Sequence, residues 1–256
     1  MKDLLKALER VPLRFREGPW SPVAWMYLLS FFSFLVYSYP TAMASMKDIH
    51  EEDSRQNTTL FAFRVFSALW GVFILITLLI NTGLWPLISY TLTTWNLLWL
   101  RMVFASLSSV ASLSNTNTRF IARALKFPSL VGCTTTVTIW WTVLVPLIHY
   151  LMGEKQKQLE FWNFNTSFML LNIHLVNLPL AGIEFYLSSS KLVFFDLWVS
   201  LLVAFVYIIF YLGILDARGI HLYIILTPRT HWCFASYSLV LCIYYSCFVG
   251  WNQAIL

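Results

Sequence analysis

The chain is 256 residues long, 59% hydrophobic and 11% charged, with a net charge of +5. A soluble domain carries about 25% charged residues, and 17 basic and 12 acidic side chains are too few to cover a globule of this size. A water-soluble fold is excluded, and with only nine Gly and nine Pro so is a disordered or fibrous chain.

The 21 Phe, 12 Tyr and 12 Trp suit a surface that meets lipid and belts that meet headgroups. No ten-residue alternating pattern suggests an outer-membrane barrel. Only helices and closed barrels satisfy their backbone in hydrocarbon, so the expected class is all-α, an integral membrane helical bundle. Residues 1–21 form a basic amphipathic segment, with Leu4, Leu5 and Leu8 at helical spacing among Lys2, Lys6, Arg10, Arg14 and Arg16. It reads as an interfacial helix. A transit peptide is the lesser alternative, since Asp3, Glu9 and Glu17 oppose it. Residues 22–256 read as one transmembrane domain.

One crossing takes roughly 20 apolar residues. Seven stretches qualify, near 22–43, 60–80, 85–113, 130–152, 164–187, 193–215 and 231–251. The longest connections, 44–59 and 114–129, leave no room for a soluble domain. The first of them is acidic, with Asp48, Glu51, Glu52 and Asp53, and contains the sequon Asn57-Thr58-Thr59. That acidic loop and the basic N-terminus place the N-terminus in the cytosol. The endoplasmic reticulum or plasma membrane ranks ahead of the mitochondrial inner membrane. Cys133, Cys233, Cys242 and Cys247 all fall within spans and read as apolar residues rather than a disulfide set.

Polar groups at membrane depth are expensive unless paired or used. Two spans hold them. The third carries Thr91, Thr93, Thr94, Asn96 and Arg101, and the fifth carries Asn172, His174, Asn177 and Glu184. Thr94 lies nine residues past Trp85 and His174 ten past Phe164, so each sits about 14–15 Å into its helix, from the same side. A hydroxyl and an imidazole can therefore meet near the midplane. Arg101 follows Thr94 by two turns on nearly the same face, where a cation suits a carboxylate or headgroup. Its structural reading is a pair with Glu184 or a helix carbonyl. Asn177 stands one turn after His174, and Pro179 frees a carbonyl and bends the helix. Glu184 is too far along the helix to complete a triad. For any single threonine, helix contact or a bond to its own backbone is the commoner role.

The five histidines show no metal-binding spacing and no CxxC pair occurs, so no metal and no cofactor are expected. GxSxG elbows and phosphate-binding glycine loops are missing. Basic residues are too scattered for nucleic acid. The expected partners are membrane lipids and a lipid substrate, with other proteins of a membrane complex as the alternative.

His174-Leu-Val-Asn-Leu-Pro179-Leu-Ala-Gly-Ile-Glu184, taken with Thr94-Trp95-Asn96-Leu97, resembles the androgen-induced protein family of multi-pass membrane hydrolases, over about residues 61–251. VTIWWTVL at 137–144 is similar to the aromatic stretch of the family's intervening helix, and Gly219-Ile-His-Leu-Tyr223 to a later segment. The resemblance implies a threonine hydrolase of fatty acid esters of hydroxy fatty acids, with Thr94 as nucleophile and His174 as base. Thr93 replaces Thr94 if the alignment shifts by one. It also implies a six-helix core, to which this chain adds the span near 22–43. The related rolling-stone proteins share the architecture without a secure enzymatic role, and Ile224 stands where the family's proline would follow Tyr223. In the expected mechanism His174 takes the Thr94 proton, the alkoxide attacks the ester, and water releases the acyl group. Asn96 or Asn177 would donate to the oxyanion, and Arg101 would hold the substrate's free carboxylate.

Overall fold

A computed structural model describes residues 12–47, 58–110, 112–223 and 226–254. The acidic loop residues and Asn57, and all but the end of the basic N-terminal segment, lie outside the described residues. After a 3-10 turn at Leu13–Phe15 come α1 (Pro22–Lys47), α2 (Thr58–Thr82), a 3-10 turn at Trp85–Ile88 and α3 (Tyr90–Ser109). α4 starts as Thr116–Ile139, passes a π-helical turn at Trp140–Leu144 and ends as Val145–Met152. The short α5 (Lys155–Asn165) leads to α6 (Phe168–Ser188), which contains a π turn at Asn172–Val176. α7 (Phe194–Arg218) contains another at Tyr211–Leu215, and α8 is Cys233–Gln253. No strand occurs among the described residues.

Six of these helices are long and apolar enough to cross a membrane: α1, α2, α4, α6, α7 and α8. The chain is a multi-pass helical bundle. Its exterior is apolar, as lipid requires. On α1, Trp25, Met26, Leu29, Phe32 and Val36 face outward while Ala24, Leu28, Phe31, Leu35 and Ala42 are buried, so both faces of the helix are apolar. α3 is the polar exception to the seven expected spans. Its 20 residues give about 30 Å, enough to cross, yet its Thr, Asn and Arg keep it out of the apolar set. Burial resolves the conflict, because none of residues 90–109 is exposed. α2 and α4 cover it, the former through Gly71 against Trp99 and the latter through Gly132 against Thr94. Small residues at such crossings let helix backbones approach closely.

The expected connection at 114–129 is instead the first half of α4. Asn115 and Thr118 form a reciprocal capping box that starts the helix at Thr116. Hydropathy missed this half because it carries Arg119, Arg123 and Lys126. Arg123 and Lys126 are nonetheless buried. Arg123 ion-pairs with Asp196 at the start of α7 and donates to the Lys191 carbonyl, while Lys126 donates to the hydroxyl and carbonyl of Ser190. The fifth expected span also begins later, at Phe168, with Phe164 belonging to α5. The four cysteines are free thiols, with Cys133 and Cys233 buried and Cys242 exposed on α8.

Residues 15–21 run along the end of the bundle where α1 and α8 begin. Thr227 Oγ1 donates to the Phe15 carbonyl at 2.7 Å, and the Ser21 amide donates to the Pro228 carbonyl at 2.8 Å. These bonds hold the N-terminal segment against the residues that precede α8.

Candidate active site

Thr94 is set in place by the start of α3. Ser89 caps the helix by accepting from the Leu92 amide. The Tyr223 hydroxyl accepts from the Tyr90 amide at 2.9 Å, and the Tyr223 amide in turn donates to the Tyr211 hydroxyl. Burial raises the Tyr223 pKa, so the phenol stays a neutral hydroxyl. One turn on, the Thr94 side chain is 1% exposed. Its hydroxyl donates to the Thr91 carbonyl at 2.8 Å and lies 3.2 Å from the Thr136 hydroxyl of α4. With its own proton on Thr91, Thr94 Oγ1 accepts the proton of Thr136.

His174 sits in the π turn of α6. Pro179 lacks the amide hydrogen that would continue the α-helical ladder, and the π turn just ahead of it absorbs the mismatch. Side chains satisfy the carbonyls loosened there. Asn177 Nδ2 donates to the Ile173 carbonyl at 2.9 Å, and Trp141 Nε1 donates to the His174 carbonyl at 2.7 Å. α4 repeats the device, with its π turn at Trp140–Leu144 followed by Pro146. The two bulges meet. The imidazole of His174 stacks on the indole of Trp140, with centroids 3.8 Å apart and an interplanar angle of 9°. His174 is buried, and its ring makes only a weak hydrogen bond to the Leu170 carbonyl, one turn back on its own helix.

Thr94 and His174 share no hydrogen bond. They are brought near each other through α4, since Thr94 touches Thr136 and His174 stacks on Trp140, one turn further along. Thr136 and Trp140 are four residues apart, about 6 Å along α4. α3 also contacts the π turn of α6 directly.

The other expected site residues are engaged elsewhere. Asn177 is fully buried, and its carbonyl oxygen accepts from the Leu178 amide at 2.8 Å, so both ends of its amide serve its own helix and neither orients the His174 ring. Asn96 Oδ1 accepts from Trp99 Nε1 at 2.9 Å. Arg101 donates to Glu184 Oε1 at 2.8 Å and to the Ala122 carbonyl at 2.6 Å, the structural alternative weighed for it above. Glu184 also takes Arg64 Nη2 at 2.6 Å and Nε at 3.1 Å. This ion cluster ties α2, α3 and α6 together toward the end of the bundle away from residues 15–21.

Sequence reasoning passed over Thr136 and Trp140, which connect the pair. Trp140 lay within the aromatic stretch at 137–144, but nothing in that stretch marked one indole as a histidine's partner. Comparison of the chain with protein-family models, with characterised proteins and with solved structures finds no match.

Proposed function

We propose that this protein is an intramembrane hydrolase of lipid esters, in the manner of the androgen-induced family that its motifs resemble, acting on fatty acid esters of hydroxy fatty acids or similar lipids. The observation that carries this reading is the buried His174 imidazole. It is stacked on Trp140, which stands one turn of α4 from Thr136, the partner of the Thr94 hydroxyl. A histidine at membrane depth is costly to keep without a use, and π turns recur at functional sites. In this reading His174 is the base and Thr94 the nucleophile. A bound ester draws the Thr94 proton off the Thr91 carbonyl toward His174, Oγ1 attacks the ester carbonyl, and the bond to the alkoxy group breaks as His174 gives that proton to the leaving alcohol; water, deprotonated by His174, then cleaves the acyl-threonine, releasing the acid and restoring the Thr94 hydroxyl. Thr136, which donates to Thr94 Oγ1 at rest, stabilises the developing alkoxide. Arg101 is committed to Glu184 and the Ala122 carbonyl, so the substrate carboxylate is not assigned to it. The endoplasmic reticulum or plasma membrane, with the N-terminus cytosolic, is the proposed setting.

A non-catalytic multi-pass protein is the competing reading, and the resting hydroxyl of Thr94 favours it. That hydroxyl has both a donor and an acceptor partner at a helix crossing, and the Thr94 methyl fills the space opposite Gly132. Labelling of membranes with a fluorophosphonate probe separates the two. The hydrolase reading expects labelled wild-type protein and loss of label in both Thr94→Ala and His174→Ala, each at wild-type abundance. Label that survives both substitutions removes the mechanism. A wild-type protein that neither labels nor turns over a hydroxy-fatty-acid ester supports the competing reading.

A further inference from the structure

Beside the start of α8 lies a surface groove of about 390 Å³ lined by Arg14, Phe15, Arg229, Thr230, His231 and Trp232. Among the described residues no carboxylate lines it. Arg229 is the built element. Its side chain is 9% exposed and is anchored from behind by Asp216, which takes Nη1 at 2.7 Å and is also held by His221 at 2.9 Å. Arg229 Nε, at the other edge of the guanidinium, is buried with no hydrogen-bond partner. Next to it, the Thr230 hydroxyl is buried and equally without a partner. Just beneath the wall lie two orphaned hydrogen-bonding groups, one of them cationic, and buried groups of this kind are rarely left unsatisfied. Arg14 adds a second guanidinium from the N-terminal segment, and His231 is positioned by Ser21, 3.2 Å from its Nδ1. The first turn of the 21-residue α8 begins here, with no side-chain cap, and its dipole adds to the positive potential.

These groups converge on an anion, and the groove is too large for a single small ion, given that one water occupies roughly 30 Å³. Its position selects the source. It opens where α1 and α8 begin, with Trp232 73% exposed at its rim and Trp25 53% exposed on α1, its ring tilted against that of Trp20. Indoles at span ends mark the headgroup layer. We infer that this groove binds the phosphate of an anionic phospholipid, with the side chains of Arg229 and Thr230, which line it, donating to phosphate oxygens, Arg14 closing over them and the acyl chains descending beside α8.

The site is independent of Thr94 and His174, so it is tested without reference to hydrolysis. Full-length protein in detergent would be titrated with phosphatidylglycerol, with phosphatidylcholine of the same chains, and with inorganic phosphate, and retained lipid counted by native mass spectrometry. The expected result is one phosphatidylglycerol bound about tenfold more tightly than phosphatidylcholine. Arg14→Gln combined with Thr230→Val should weaken it by about tenfold, two charge-assisted hydrogen-bonding groups being removed. Neither substitution touches the Arg229–Asp216 pair, and unchanged thermal unfolding checks the fold. Arg229→Lys, which keeps the charge but deletes Nε, should weaken binding as well. Equal retention of the two lipids, or a double variant that binds phosphatidylglycerol like wild type, overturns the inference. Inorganic phosphate that displaces the lipid at equal concentration overturns the assignment to a lipid.

Discussion

Replacing Gly132 with alanine tests how tightly α4 fixes Thr94. An alanine Cβ at 132 would overlap Thr94 Cγ2 and stand 2.9 Å from Thr94 Cβ. Both atoms belong to a short β-branched side chain on a helix with no exposed residue, so neither can swing aside as the tip of a lysine would. The cost should be that of overpacking, about 1–3 kcal/mol. Thr94→Ser removes the overlapping methyl and keeps the hydroxyl, but the 2.9 Å approach to Cβ remains, so relief is partial. In the double variant about 1 kcal/mol of the alanine's cost should return as a coupling term. The assay is reversible unfolding in mixed micelles by SDS titration, applied to all four proteins of the cycle. Additivity within about 0.3 kcal/mol, or an alanine variant as stable as wild type, would show that α4 does not press on Thr94 and would refute the reasoning.

Glu184→Gln should destabilise the bundle by about 3–5 kcal/mol in the same titration, because Arg64 and Arg101 lose the carboxylate they share in a buried setting. Trp141→Phe leaves the His174 carbonyl without its indole donor and should cost about 1–3 kcal/mol. Tyr223→Phe deletes the acceptor for the Tyr90 amide, and amide exchange at the first turn of α3 should accelerate while the centre of the helix is unchanged.

Hydrophobicity made the helical bundle legible, since six of the seven stretches found by composition are apolar helices of spanning length. The first half of α4 was not legible. Arg123 and Lys126 look like loop residues to any hydropathy count, and only their partners Asp196 and Ser190, more than 60 residues away in sequence, make their burial affordable. The same limitation applies to the site. Depth along separate helices puts Thr94 and His174 at similar levels, and in the structure they contact α4 residues one turn apart. The helix that lies between them, and the use of Asn96 and Asn177 by nearby indole and backbone groups, depend on packing that spacing along one chain does not encode.

The polar groups of this bundle fall into two kinds. Arg101, Glu184, Asn96 and Asn177 have their hydrogen-bonding groups turned onto neighbouring helices or their own backbone, as economy in a low-dielectric interior demands. His174 is fixed differently. Two prolines, two π turns, an indole stack and an indole hydrogen bond hold its ring and backbone, and the ring itself has only a weak bond to the Leu170 carbonyl of its own helix. Thr94, by contrast, is fully bonded at rest. The asymmetry puts the preorganised half of any proton transfer on the histidine and the half that must rearrange on the threonine. A threonine that gives its proton to its own helix is inert until a substrate enters, which suits a nucleophile surrounded by lipid esters at high concentration.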